Sequence, residues 1–169
     1  LTSKAKELAD LSTTDPLTGV GNRRQLEQKL ALLAQAQPLG VLIVDLDHFK
    51  NVNDTHGHLV GDVVLAVVAA RLRSACGPSG ILVRWGGEEF VVALPDADRE
   101  VIAVAGERLR SAVADSPLAV GSTSPLGVTV SVGAASGTAG EFESLLRQAD
   151  AALYDAKSAG RDRVVTASS

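Results

Sequence analysis

Acids gathered at strand ends can hold a hard divalent cation, and this 169-residue sequence puts acids at two such places. Asp45 closes the apolar run "GVLIVD", while Glu88 and Glu89 follow a glycine pair inside "VRWGGEEFVVALP", residues 83 to 95. An ion such as Mg²⁺ takes one or two carboxylates together with substrate phosphates. If the two segments are neighbours in a sheet, Asp45 and one of the glutamates converge on one edge. Successive strand residues face opposite ways, so Glu88 and Glu89 cannot both reach one ion from a regular strand. Gly86 and Gly87 serve either as a tight turn, where glycine's access to positive φ is useful, or as bare backbone that a phosphate can approach. The plain alternative is a glycine hairpin with solvated acids beside it.

The segment "DLDHFKNVNDTHGHLVGD", residues 45 to 62, adds a second kind of chemistry. Guanine presents N1–H and N2–H donors side by side, which acceptors such as Asn53 and Asp62 can take together, and adenine lacks that pair. Equally ordinary roles are open to both, Asn53 as a turn residue and Asp62 as an acid near a helix N-terminus. Lys157 and Arg161 stand four apart near the end of a predicted helix, where cations are favourable with or without a ligand. His48, His56 and His58 match no helical zinc-binding pair, and zinc is not expected. Neither GxxxxGK[ST] nor GxGxxG occurs, which removes P-loop and dinucleotide readings of the glycines. Trp85 reads as a sheet-packing residue and Arg84 as a buttress of the turn through a nearby acid.

These groups need a scaffold, and the hydrophobic pattern supplies one. After the turn-rich "TTDPLTGVGNRR", Leu26, Leu30 and Leu33 in "RRQLEQKLALLAQAQ" recur at helical spacing. Val41 to Val44 suit a strand buried on both faces. "DVVLAVVAARLRSAC" predicts a helix ended by "GPSG", and "ILVRW" with "EFVVAL" predicts a hairpin about the glycines. A helix over "DREVIAVAGERLRSAVA", a strand in "GVTVSVGAAS" with Val128, Val130 and Val132 on one face, a long helix stopped at Gly160 and a last strand "DRVV" complete the order. The alternation indicates an α/β sandwich with a single mixed sheet flanked by helices.

Composition bounds the rest. With 46% hydrophobic residues the chain can bury one ordinary core. A net charge of −4 and 3% aromatics are the wrong balance for sequence-independent binding to a nucleic-acid polymer. Cys76 is the lone cysteine, so no disulfide framework is expected and a reducing cytoplasmic setting is the simple inference. No run approaches the ~18 apolar residues of a membrane span. The opening "LTSKAKELADLS" lacks an initiator Met and an apolar leader; residues 1–12 are expected to be the tail of an upstream linker helix and 13–169 the domain.

Read together, "DPLTGVGNRR" (15 to 24), "DLDHFKNVNDTHGHLVGD" (45 to 62), "RWGGEEF" (84 to 90) and "ALYDAKSAGRDRV" (152 to 164) resemble, in order, the motifs of the GGDEF domain, the catalytic domain of bacterial diguanylate cyclases, here as a GGEEF variant. The resemblance covers nearly the whole chain from residue 13. It implies a βααββαβ core related to nucleotide cyclases and polymerase palms, with a mainly antiparallel five-stranded sheet. It further implies condensation of two GTP into cyclic di-GMP with release of two pyrophosphates, with Mg²⁺ or Mn²⁺ as cofactor and a homodimer in which two half-sites meet antiparallel. Carried over residue by residue, Asp45, Glu88 and the Leu46 carbonyl would hold the metal. Either Glu88 or a hydroxide on the cation would take the ribose 3′-OH proton. Asn53 and Asp62 would read guanine, Lys157 and Arg161 would meet the triphosphate, and backbone amides around Phe49 and Lys50 would add donors. Gly86 and Gly87 would admit the nucleotide, and Glu89 would stay nearby as a supporting or metal-associated acid. The family's RxxD inhibitory motif is missing: its positions hold Gly77, Pro78, Ser79 and Gly80. A non-catalytic domain of the same fold, binding GTP or cyclic di-GMP, is the alternative, although such domains usually lose one of these residues. An upstream sensory or dimerising region is expected to precede the chain.

Overall fold

From Leu39 to Val44 the chain offers water no polar face, and this run becomes the middle of a sheet covered on both sides. The structure is a computed structural model that describes residues 2–5, 11–121 and 124–168. Residues 1 and 6–10, half of the expected linker-helix tail, lie outside the described residues. The elements run α1 (Arg23–Leu30), β1 (Pro38–Leu46), α2 (Phe49–His56), α3 (His58–Cys76), β2 (Ile81–Arg84), β3 (Glu89–Pro95), α4 (Arg99–Ala114), β4 (Val130–Thr138), α5 (Phe142–Ser158) and β5 (Val164–Thr166). The five strands form one sheet in the order β2-β3-β1-β4-β5, antiparallel throughout except between β4 and β5. The expected mixed, mainly antiparallel sheet is therefore present.

Alternation along β1 divides the interior in two. Leu42, Val44 and Leu46 join α3 and α4 in one core; Leu39, Val41 and Ile43 join Leu26 of α1 and Leu145, Ala149 and Leu153 of α5 in the other. Val128, Val130 and Val132 share the first core, as their spacing predicts. Helix α5 lies directly on β4, because a Cβ at Gly133 would overlap the backbone of Ala149 and Leu153. That close approach fixes the helix that bears Lys157.

Two expectations need correction. Between β1 and the hairpin there are two helices, as the βααββαβ core implies, rather than the one the hydrophobic pattern marked: α2 occupies "FKNVNDTH", where Phe49 is the only buried residue, so no apolar stripe marks it. Gly57, at φ 89°, breaks the chain between α2 and α3, and α3 starts at His58, four residues before the segment read as helical. Helix α1 ends at Leu30; the amides of Leu32 and Leu33 turn back to the carbonyls of Lys29 and Leu30, at 3.2 and 3.0 Å, which still lets Leu33 pack on the second core.

Candidate active site

The C-terminal end of β1 and the hairpin tip build the acidic end of the site. In the ladder Asp45 stands opposite Glu89, and the Leu46 amide donates to the Glu88 carbonyl at 3.3 Å. Glu88 thus precedes the first residue of β3, free of the strict alternation, and lines a cleft of about 240 Å³ with Asp45, Leu46, Phe49, Lys50, Lys157 and Arg161. Glu89 does not line it. Asp45 is buried at 5% exposure, and Lys157 Nζ donates to its Oδ2 at 2.8 Å.

Burial pushes the Asp45 carboxyl above the ordinary aspartate range, against the pull of Lys157. Burial and then the charge of Asp45 push Glu88 and Glu89 up as well. No three His, Cys, Asp or Glu side chains converge on a metal position among the described residues. A cation here would rest on Asp45, Glu88 and backbone oxygen, leaving the remaining positions to water and phosphate, which is the partial protein shell that Mg²⁺ accepts. The donor set fits: Asp45 Oδ1 is buried with no hydrogen-bond partner.

A second orphan of the same kind lies on α2. Asn53 Oδ1 is also buried without a partner, and these are the two such side-chain atoms among the described residues. A Cβ at Gly61 would overlap that oxygen, so glycine lets α3 close on α2 there, and Asp62, exposed to solvent, follows immediately. Neither Asn53 nor Asp62 lines the acidic cleft. Between the two ends runs the start of α2. Its N-cap, His48, is left-handed at φ 57° and supplies no side-chain cap, and the first helical bond is Val52 N–H to His48 O at 3.3 Å. The amides of Phe49, Lys50 and Asn51 therefore have no helical acceptor, and all three residues line the cleft.

The glycine pair is not a left-handed turn. Neither Gly86 nor Gly87 has positive φ, which corrects the expectation from the sequence. The tip is closed by other bonds: Trp85 and Gly86 amides to the Glu89 carbonyl at 2.8 and 3.3 Å, and the Arg84 guanidinium to the Gly87 carbonyl at 2.7 and 3.2 Å. Arg84 also pairs with Asp15 at 3.4 Å, and its amide donates to Gly21 O at 2.9 Å, so the 13–22 loop is docked along the edge of β2. A Cβ at Gly87 would meet nothing and one at Gly86 only Glu89 Oε2 at 3.7 Å; both residues present open backbone, although neither lines the cleft. Trp85 packs on the second core beneath Arg23, 4.0 Å from its ring.

Sequence reasoning passed over Asp47, which is 5% exposed and receives the hydroxyls of Thr129 and Ser131, each at 2.7 Å, and the Asp162 amide at 3.0 Å. Its spacing from Asp45 in "DLD" is the signal that could have found it, since residues two apart along a strand share a face. Upstream of β2, Gly77 sits at φ 80°, and a Cβ at Gly80 would overlap Cys76 Sγ and lie 2.8 Å from the Cys76 carbonyl.

By fold this is an α+β domain of the nucleotide-cyclase kind. The chain belongs to the diguanylate cyclase GGDEF-domain family: the family described as "Diguanylate cyclase, GGDEF domain" matches residues 12–163. It is 42% identical over 165 residues to the response regulator PleD of Caulobacter vibrioides, an alignment that takes in 92% of this chain and 36% of PleD. It thus spans about a third of that relative's length. Among solved structures it is similar to the GGDEF domain of DgcB from Caulobacter crescentus in complex with c-di-GMP, with TM-score 0.86 and 37% identity over 94% of this chain and 97% of that one. The active GGEEF domain of a diguanylate cyclase from Vibrio cholerae superposes with TM-score 0.77 at 32% identity, covering 88% of this chain and 97% of that one.

Proposed function

We propose that this chain condenses two molecules of GTP into cyclic di-GMP and two pyrophosphates, each of two antiparallel copies presenting one GTP to the other. The observation that carries the reading is the pair of buried, unpartnered acceptors, Asp45 Oδ1 and Asn53 Oδ1, one among raised carboxylates and the other against Gly61. A solvated surface has no reason to keep two such atoms, each costly without a donor or cation.

In this reading Asp45, Glu88 and the Leu46 carbonyl hold Mg²⁺ or Mn²⁺. A cation held there would supply charge neutralisation for the phosphates and the leaving pyrophosphate. Asn53 and Asp62 accept guanine's paired donors. The amides at the start of α2 together with Lys157 and Arg161 hold the triphosphate, and Lys157 balances the acid pair as well. Either Glu88 or a hydroxide on the cation would receive the 3′-OH proton. The ribose 3′ oxygen of one GTP forms a bond to the α-phosphorus of the other. The bond from that phosphorus to the bridging oxygen breaks, and the electron pair leaves with pyrophosphate. The same exchange in the opposite sense closes the ring. Glu89 and Arg84 support the tip, with Arg84 tying it to Asp15.

The RxxD brake is absent in this reading. Product inhibition then acts through the GTP site and is competitive with GTP. The test is incubation with GTP and Mg²⁺ at high protein concentration, analysed for cyclic di-GMP, with Glu88→Gln as control. Product from the parent chain and none from the variant is expected. GTP binding without any product would favour the regulatory, non-catalytic domain instead.

A further inference from the structure

The turn after α5 is held in an unfavourable shape by groups the proposed chemistry does not use. Gly160, Arg161 and Asp162 follow one another at φ 121°, 67° and 47°, so two residues with side chains occupy the left-handed region in succession. L-residues rarely do this, and a surrounding structure must impose it. The Arg161 amide donates to Ala156 O at 3.0 Å, which sets the entry to the turn. The next peptide is gripped from both ends: its carbonyl, that of Arg161, accepts from Arg163 Nε at 3.0 Å, and its amide, that of Asp162, donates to Asp47 Oδ2 at 3.0 Å. The two bonds fix the orientation of the backbone on either side of Arg161. From the outside, Arg110 of α4 pairs with the Asp162 carboxylate at 2.7 Å. Asp47 is in turn immobilised by Thr129 and Ser131 and by its own amide, which donates to Thr129 O at 2.9 Å.

We propose that Asp47, with Arg110 as an outer anchor, is a positioning residue that sets the direction of Arg161 into the cleft and so tunes affinity for the nucleotide triphosphate. The inference rests on the reading of Arg161 as a triphosphate cation. Asp45 pairs with the Lys157 cation, whereas Asp47, which lines the same cleft, has both oxygens committed to donors and holds the turn that bears Arg161.

The experiment is a calorimetric titration of the chain with the non-cyclising α,β-methylene analogue of GTP, on Arg161→Ala, Asp47→Ala, Arg110→Ala and the two double variants with Arg161→Ala. Arg161→Ala is expected to weaken binding about tenfold, the scale of one charge-assisted contact. Asp47→Ala should weaken it by a similar factor and Arg110→Ala by a few-fold, with neither adding to the loss in the Arg161→Ala background. Such non-additivity is not expected of a purely structural defect, which lowers the melting temperature and multiplies through. If Asp47→Ala does not fold, the exposed-side anchor Arg110 carries the same cycle. Independent, multiplicative losses, or an Asp47 or Arg110 variant that binds as the parent does, would overturn the positioning role alone. Unchanged affinity in Arg161→Ala would overturn the triphosphate assignment and this inference with it.

Discussion

Asn53 and the buried acids set what single residues are expected to do. Removing the Asn53 amide leaves guanine donors unmet, so Asn53→Ala should weaken GTP binding by roughly 10- to 100-fold and shrink the preference for GTP over ATP, measured by competition titration. Gly61→Ala should move in the same direction without touching nucleotide, because the new methyl displaces the Asn53 side chain. Glu88 and Glu89 make a prediction of opposite character. Their folded carboxyls hold protons above the ordinary value of 4.5, through burial first and the Asp45 charge second. The native state therefore binds more protons than the unfolded chain as pH rises through and above that value, and this contribution to unfolding free energy falls with rising pH. Asp15 does not blur the window: burial alone would raise its carboxyl, but Thr18 and Arg84 bring it below 3.8, so it stays ionised in both states above that. Cation-free Glu88→Gln should then melt higher than the parent at pH 7, with the gap closing toward pH 4.5, and Mg²⁺ should stabilise only the parent; scanning calorimetry across pH reads both.

Elements fix where these residues can stand. Helix α5 reaches β4 only through the bare surface of Gly133, so Gly133→Ala should lose about 3 kcal/mol of stability in denaturant unfolding and carry Lys157 away from Asp45. The turn between α3 and β2 is shaped for glycine at both positions of the lost motif, with Gly77 at positive φ and Gly80 against the Cys76 backbone. Restoring two side chains is therefore not enough. Gly77→Arg with Gly80→Asp should lower the melting temperature by several degrees and leave cyclic di-GMP inhibition competitive with GTP; tight noncompetitive inhibition would show that the turn can remodel.

At the scale of the whole molecule, one chain supplies one set of nucleotide contacts, and the proposed ring closure needs two. Specific activity should rise with protein concentration until pairs saturate, and fusing a short parallel coiled coil ahead of residue 13 should lift it in the dilute range, by an amount set by effective concentration. Constant activity per chain on dilution would contradict the two-copy mechanism.

Sequence alone determined the sheet and its central strand, because residues from Leu39 to Val44 can satisfy only a strand buried on both faces, and the valines of β4 alternate as a strand must. It also marked Asp45, Asn53 and Asp62 as candidates by residue type, and Glu88 rather than Glu89 only through the family resemblance. Polar α2 escaped the hydrophobic pattern and was implied only by the family resemblance, since a helix with a single buried residue leaves no periodic trace. The glycine tip was misjudged because its closure depends on Arg84 reaching back to Gly87 rather than on backbone handedness. The role of Asp47 was decided by tertiary structure: its partners Ser131 and Asp162 lie 84 and 115 positions away, and only folding reveals that both its oxygens meet donors while Asp45 keeps one oxygen unpartnered.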